Sequence, residues 1–116
     1  MKELDRLSSR DHRGRTALHR ACSEGSIDKV TLLLSKGVNT NAVDKDNWTP
    51  LHYAAQNGHL EITKLLIQHG VDMNSSGHEG LTTLHVACKY GHEDIAQYLV
   101  DAGVDVHAVD KNGQTP

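Results

Sequence analysis

The chain has 116 residues, 23% of them charged, with a formal net charge of −3. That length suits one compact domain, and the composition argues against intrinsic disorder. The charge argues against a general nucleic-acid binder, which needs a basic surface to displace counterions.

No apolar run approaches the roughly 20 residues of a membrane span, and no signal-peptide core opens the chain, so membrane insertion is not expected. Cys22 and Cys88 make no disulfide framework, and an intracellular, reducing setting is the natural expectation. Charge is uneven: residues 1–43 hold eight Lys/Arg against five Asp/Glu, whereas residues 44–116 hold four against ten. Such asymmetry belongs to the surface and points to a charged partner.

In chain order, residues 1–10 read as an N-terminal cap or as the tail of an earlier unit. From residue 11 the chain repeats itself every 33 residues without a gap. That offset superimposes Thr16, Thr49, Thr82 and Thr115, then Leu18, Leu51 and Leu84, then His19, His52 and His85. It also superimposes Ala21, Ala54 and Ala87, and later Gly25, Gly58 and Gly91.

Each unit opens on a turn whose left-handed place is filled by Gly14, Asn47, Gly80 or Gly113, all residues that tolerate positive φ. A first helix follows. In the second unit Thr49 can cap it, and Pro50 suits its first position, where the missing N–H costs nothing. Leu51, Ala54 and Ala55 then form one narrow apolar face, and Gly58 stops the helix. A second helix carries Ile62, Leu65 and Leu66 at the same spacing, with Gly70 as its stop. Helix pair plus extended turn, repeated, is a solenoid.

The T-P-L-H-x-A-A-x-x-G-H core of the second unit and the later L-L-x-x-x-G-x-D-x-N resemble ankyrin repeats. The resemblance covers three full units, 11–43, 44–76 and 77–109, and the opening of a fourth at 110–116. It implies an all-α array of stacked helix–turn–helix units with projecting β-turn or hairpin loops. Ala17 and Thr83 depart from the proline of the pattern, Gly77 from its aspartate, and His107 from the asparagine held by Asn41 and Asn74. The chain ends at Gln114-Thr115-Pro116, where another first helix would begin. A fragment of a longer array is therefore expected, with Ile95 and Leu99 lacking a covering neighbour.

The three aligned histidines invite a metal or catalytic reading. Their place directly after the leucine allows each imidazole to bond the nearby threonine and the adjoining turn, and the resemblance implies the same scaffold role. His59 and His92 hold a second family position. Cys22 and Cys88 follow His19 and His85 by three residues, but both occupy the small, buried place of Ala55 and stand two units apart. No metal site, cofactor or enzyme motif is expected.

Recognition is left to positions that the fold does not dictate, on the concave side made by turn tips and first helices. At the tips these are Arg13, Arg15, Asp46, Trp48, Glu79 and Leu81; on the first helices they are Arg20, Tyr53, Gln56, Asn57, Lys89 and Tyr90. Trp48 and Leu81 share one tip position in successive units, and Trp48, Tyr53 and Tyr90 put most of the few aromatics on this face, as interface centres do. A competing reading lays Trp48 flat on the next turn and uses Tyr53 to fill a groove. Arg13, Arg15 and Arg20 suit capture of an acidic segment, unless they pair locally with Asp11 or Glu24. The expected function is a non-catalytic module that binds a protein or peptide, with a structural spacer as the alternative. The resemblance also implies Asn41 and Asn74 as candidate sites of asparaginyl hydroxylation.

Overall fold

The computed structural model describes residues 9–116; most of the segment read as an N-terminal cap, residues 1–8, lies outside the described residues. Among the described residues there are six α-helices and no strand. They come in pairs: α1 (Ala17–Glu24) with α2 (Ile27–Ser35), α3 (Pro50–Gln56) with α4 (Leu60–Gln68), and α5 (Thr83–Lys89) with α6 (Glu93–Asp101). First helices stack in one layer, α1 on α3 on α5, and second helices in another, α2 on α4 on α6. The stack measures 43 × 25 × 20 Å, the elongated shape of an array in which each unit touches only its neighbours.

Local chemistry sets each helix start. The hydroxyls of Thr16, Thr49 and Thr82 accept from the backbone N–H of His19, His52 and His85, and each imidazole reaches back to the capping residue's own N–H. This is the reciprocal capping arrangement with histidine in place of the usual glutamate. Pro50 occupies the first helical position as its fixed φ predicts.

Two glycines show why the pattern demands them. Gly25 and Gly58 take φ of +82° and +76°, and a Cβ on either would lie 2.6 or 2.7 Å from the ring of His59 or His92. Both rings cross to the preceding unit. The Nε2–H of His59 donates to the Ser23 carbonyl at 3.2 Å, and that of His92 to the Gln56 carbonyl at 2.9 Å. Glycine is therefore required twice, for its handedness and for the space that a crossing ring fills.

The apolar interior forms two clusters. One joins units one and two through Leu18, Val30, Leu51, Ile62 and Leu66. The other joins units two and three through Ala55, Leu84, Val86, Ile95 and Leu99. Trp48 packs against both.

Three expectations are corrected here. The buried stripe of α4 is Ile62, Thr63 and Leu66, not Ile62, Leu65 and Leu66, because α4 is clasped between α3, α2 and α6 and turns Thr63 inward, where its hydroxyl donates to the His59 carbonyl at 2.9 Å. Leu65 is half-buried, and Leu32 at the same place in α2 is 57% exposed. Ile95 and Leu99 are fully buried by their own cluster, so the groups left open on unit three include Tyr90, Val100, Val106, Val109 and Cys88 instead. Cys88 does not share the buried place of Cys22 and Ala55, since among the described residues no helix packs on that side of α5.

Candidate functional site

The turn tips are built by aspartates. One carboxylate oxygen of Asp11 accepts from the N–H groups of Arg13 and Arg15 at 3.0 and 2.9 Å. Asp44 holds Asp46 and Trp48 in the same way, both at 2.9 Å, and Asp110 holds Asn112 and Gln114 at 2.8 and 3.0 Å. At Asp11 and Asp110 the amide donors, those of Arg15 and Gln114 foremost, favour the charged carboxylate. Asp11 is held at a pKa of about 2, and Asp110 is also lowered.

Gly77 has no carboxylate, and the third tip folds differently. His78–Gly80 forms a short 3-10 turn, Glu79 takes a left-handed φ of 60°, and Leu81 N–H donates to the His78 carbonyl at 3.2 Å. The adjoining tips are tied by Lys45 N–H to the Arg13 carbonyl, 3.0 Å, and by Lys111 N–H to the Glu79 carbonyl, 2.8 Å. Between the second and third tips the tie is the Trp48 ring, which lies against Gly77 where a Cβ would stand.

The aligned histidines hold these tips from below. Nδ1 of His19, His52 and His85 accepts from the backbone N–H of Thr16, Thr49 and Thr82 at 3.1, 3.2 and 3.1 Å. A carbonyl can only accept, so Nε2 carries the ring proton. It donates to the carbonyls of Trp48, Leu81 and Gln114 at 2.8, 2.9 and 2.8 Å. In the second, third and fourth units the residue at one tip position is thus fixed by the imidazole of the unit before it.

Burial, outweighing the carbonyl partner, pushes the pKa of His19 and His52 below the usual imidazole value. The native state therefore binds fewer protons than the unfolded chain once pH falls through the unfolded value of about 6.5. Stability should be complete above about pH 7 and fall below about pH 6.5, by up to about 1.4 kcal/mol per pH unit for each imidazole, until the folded-state values are reached. Asp11 adds a second loss lower down, from its ordinary 3.8 toward about 2. Urea midpoints recorded between about pH 7.5 and pH 5 test this; a flat profile would remove the imidazoles from the account.

A groove of about 590 Å³ opens on the tip side, and every expected recognition residue except Arg20 lines it. Arg13 and Asp46 face each other across one rim at 3.4 Å. Trp48, Tyr53 and Leu81 lie along the tips and first helices, with Gln56, Asn57, Lys89 and Tyr90 on the helix side and Glu79 at the third tip. Ser23 and His78 complete it. Arg20 turns away, donating to the Arg15 carbonyl at 3.0 Å and approaching Asp11 at 3.7 Å.

The side chains are more committed to the stack than the sequence suggests. Tyr53 is only 7% exposed, and its hydroxyl donates to Asp44. Burial and the carboxylate together push that phenol's pKa up. Its ring meets His19 and Trp48 edge-on at 5.7 and 5.3 Å. The reading of Tyr53 as an exposed surface aromatic is therefore corrected; what reaches the groove is one edge. Trp48 is half-buried, 5.4 Å from the His52 ring, with its indole N–H enclosed and unpaired. Tyr90 alone of the three is open, at 45%. Arg15 pairs with Asp11 at 3.0 Å. Nothing in the repeat pattern signals the Asp44–Tyr53 pair, since tyrosine stands at that helix position only in unit two.

Asn41 and Asn74 sit in the exposed turns after the second helices, where their side-chain oxygens accept from Asp72 N–H and Asp105 N–H at 3.1 and 2.8 Å. They join one unit to the next. Among the described residues no three His, Cys, Asp or Glu side chains converge in a metal-holding group, and no helix is long and apolar enough to cross a membrane.

Stacked helix pairs with ordered tips over an open groove define a class, the repeat array that displays a concave surface. The family model described as ankyrin repeats in three copies matches residues 2–77, and a second, ankyrin repeats in many copies, matches residues 66–116. The chain belongs to the ankyrin-repeat family. It is similar to BCL-6 corepressor-like protein 1 of mouse and of human, at 42% identity over 45 residues, which is 39% of this chain. The matched part spans 2% of the length of those relatives.

Proposed function

We propose that this array is a non-catalytic recognition module that takes a protein or peptide in the groove between its turn tips and first helices. The observation that carries this reading is the groove itself. Residues that the repeat pattern leaves free, from three different units, line one continuous hollow. Ankyrin repeats mediate protein–protein interaction generally, and a concave face that mixes aromatic edges with polar donors suits that use.

The cleanest test spares Trp48, which holds the stack. Tyr90→Ala and Arg13→Glu change exposed side chains and should leave the stability from urea unfolding within about 0.5 kcal/mol of the parent. Affinity capture with the double variant should lose the proteins that the parent retains. Recovery of the same set in the same amounts would favour a second reading, a structural spacer. That reading draws on the engagement of Trp48, Tyr53, Arg13 and Arg15 within the fold. Modification of Asn41 and Asn74 is a separate proposal; an added mass at those two residues in protein isolated from cells would test it.

A further inference from the structure

Charge inside the groove is sorted in a way that residue type alone conceals. Arg13 is opposed by Asp46 and Arg15 by Asp11, while outside the groove Arg20 approaches Asp11 and Lys111 of the fourth tip pairs with Glu79. An acidic segment arriving at the arginines would have to displace Asp46 and Asp11, and the Asp11 carboxylate also builds the first tip. Lys89 differs. It stands in the last turn of α5 and lines both the groove and the neighbouring hollow toward the fourth tip. Among the described residues no carboxylate pairs with it.

The same place in the two preceding first helices is held by Ser23 and Gln56, so the array presents a cation there only once. Its ammonium lies 5.9 Å from the centre of the Tyr90 ring, a contact that keeps the charge at the surface without neutralising it. The Tyr90 hydroxyl accepts from the Gln56 amide at 3.2 Å, which leaves its own proton available to donate.

Resting on the groove reading above, we propose that Lys89 and the Tyr90 hydroxyl form the carboxylate-reading site of this protein. The occupant is an Asp or Glu side chain of an extended partner peptide, with an apolar residue of that peptide resting on the exposed edges of Trp48 and Leu81. A compact ammonium and one O–H donor match the two oxygens of a carboxylate, and with the groove's arginines already opposed by Asp46 and Asp11 the unpaired ammonium decides register. The acidic requirement therefore belongs to the third unit rather than to the basic first unit.

A random dodecamer peptide library displayed on phage, selected against the 116-residue chain and its variants, tests this. The parent should enrich Asp or Glu at a constant spacing from an aliphatic or aromatic residue. Lys89→Met should weaken an enriched synthetic peptide by roughly tenfold. Lys89→Glu should change the enriched charge to Lys or Arg. Raising the salt should narrow the difference between parent and Lys89→Met. Far-UV circular dichroism and urea midpoints confirm that both variants remain folded. An acidic preference that survives Lys89→Glu and disappears in Arg13→Glu/Arg15→Glu would overturn the assignment while leaving the groove as the binding face. Enrichment of no peptide by the parent would overturn the groove reading, and this proposal with it.

Discussion

His52→Ala is expected to destabilise the chain by about 3–5 kcal/mol, a large part of the roughly 5–15 kcal/mol that holds a small domain together. The side chain is fully buried and serves two units at once. Nδ1 receives the Thr49 N–H at 3.2 Å and lies 2.8 Å from the Thr49 hydroxyl, while Nε2–H is donated to the Leu81 carbonyl at 2.9 Å. Alanine strands a buried N–H at the start of α3 and a carbonyl at the third tip, each costing about 1–3 kcal/mol. It also opens a void beside the Trp48 ring. His85→Ala should cost clearly less, because His85 is slightly exposed and its acceptor belongs to the exposed Gln114. With the urea dependence usual for this size, His52→Ala should lower the midpoint by about 2 M. Equal losses for the two variants would show that the imidazoles act only through their own capping boxes, without the bond to the next tip.

The second large effect falls on Gly77, and its sign depends on Trp48. Gly77 has φ of −103°, outside the left-handed region, and the Trp48 ring occupies the space a side chain would need. A Cβ there would stand 2.5 Å from Trp48 Cδ1 and 3.0 Å from Nε1. Gly77→Asp would restore the carboxylate that organises the other three tips, a gain of about 1 kcal/mol from recovered backbone bonds. It would also drive the indole from the seam between the two apolar clusters, a loss of about 2–3 kcal/mol.

The net expectation is destabilisation, with a red-shifted emission from the chain's single tryptophan. In a Trp48→Ala background the clash is gone, and the same Gly77→Asp change should become stabilising. A double-mutant cycle measures this directly. Additive effects, or an unmoved emission spectrum in Gly77→Asp, would disprove the contact.

Gly77 also shows where reading by pattern stops. Its departure from aspartate is plain in the repeat alignment, yet the alignment holds no reason for it. The reason is a ring from 29 residues earlier, brought there by the stacking of units. Asn47 was the opposite case: its left-handed φ of 64° follows from its place in the repeat alone.

The same division separates the groove residues. Which positions are free of the scaffold is legible from the period, and all but Arg20 of those expected line one hollow. Whether each is available to a partner is not legible. Tyr53 is held by Asp44 and Arg15 by Asp11, whereas among the described residues no carboxylate pairs with Lys89. Sequence spacing says which residues share a face, but pairing depends on distances between units that no local rule contains.

By itself, then, the sequence determined the helix pairs, their caps and stops, and the scaffold duty of the histidines. All of these are set by short-range chemistry repeated at one period, so local spacing is sufficient. Tertiary structure alone decided the inward turn of Thr63, the openness of Cys88, the seating of Trp48 on Gly77 and the sorting of charges in the groove. Each of these depends on what a neighbouring unit lays against the residue, and that is a matter of packing geometry rather than order along the chain.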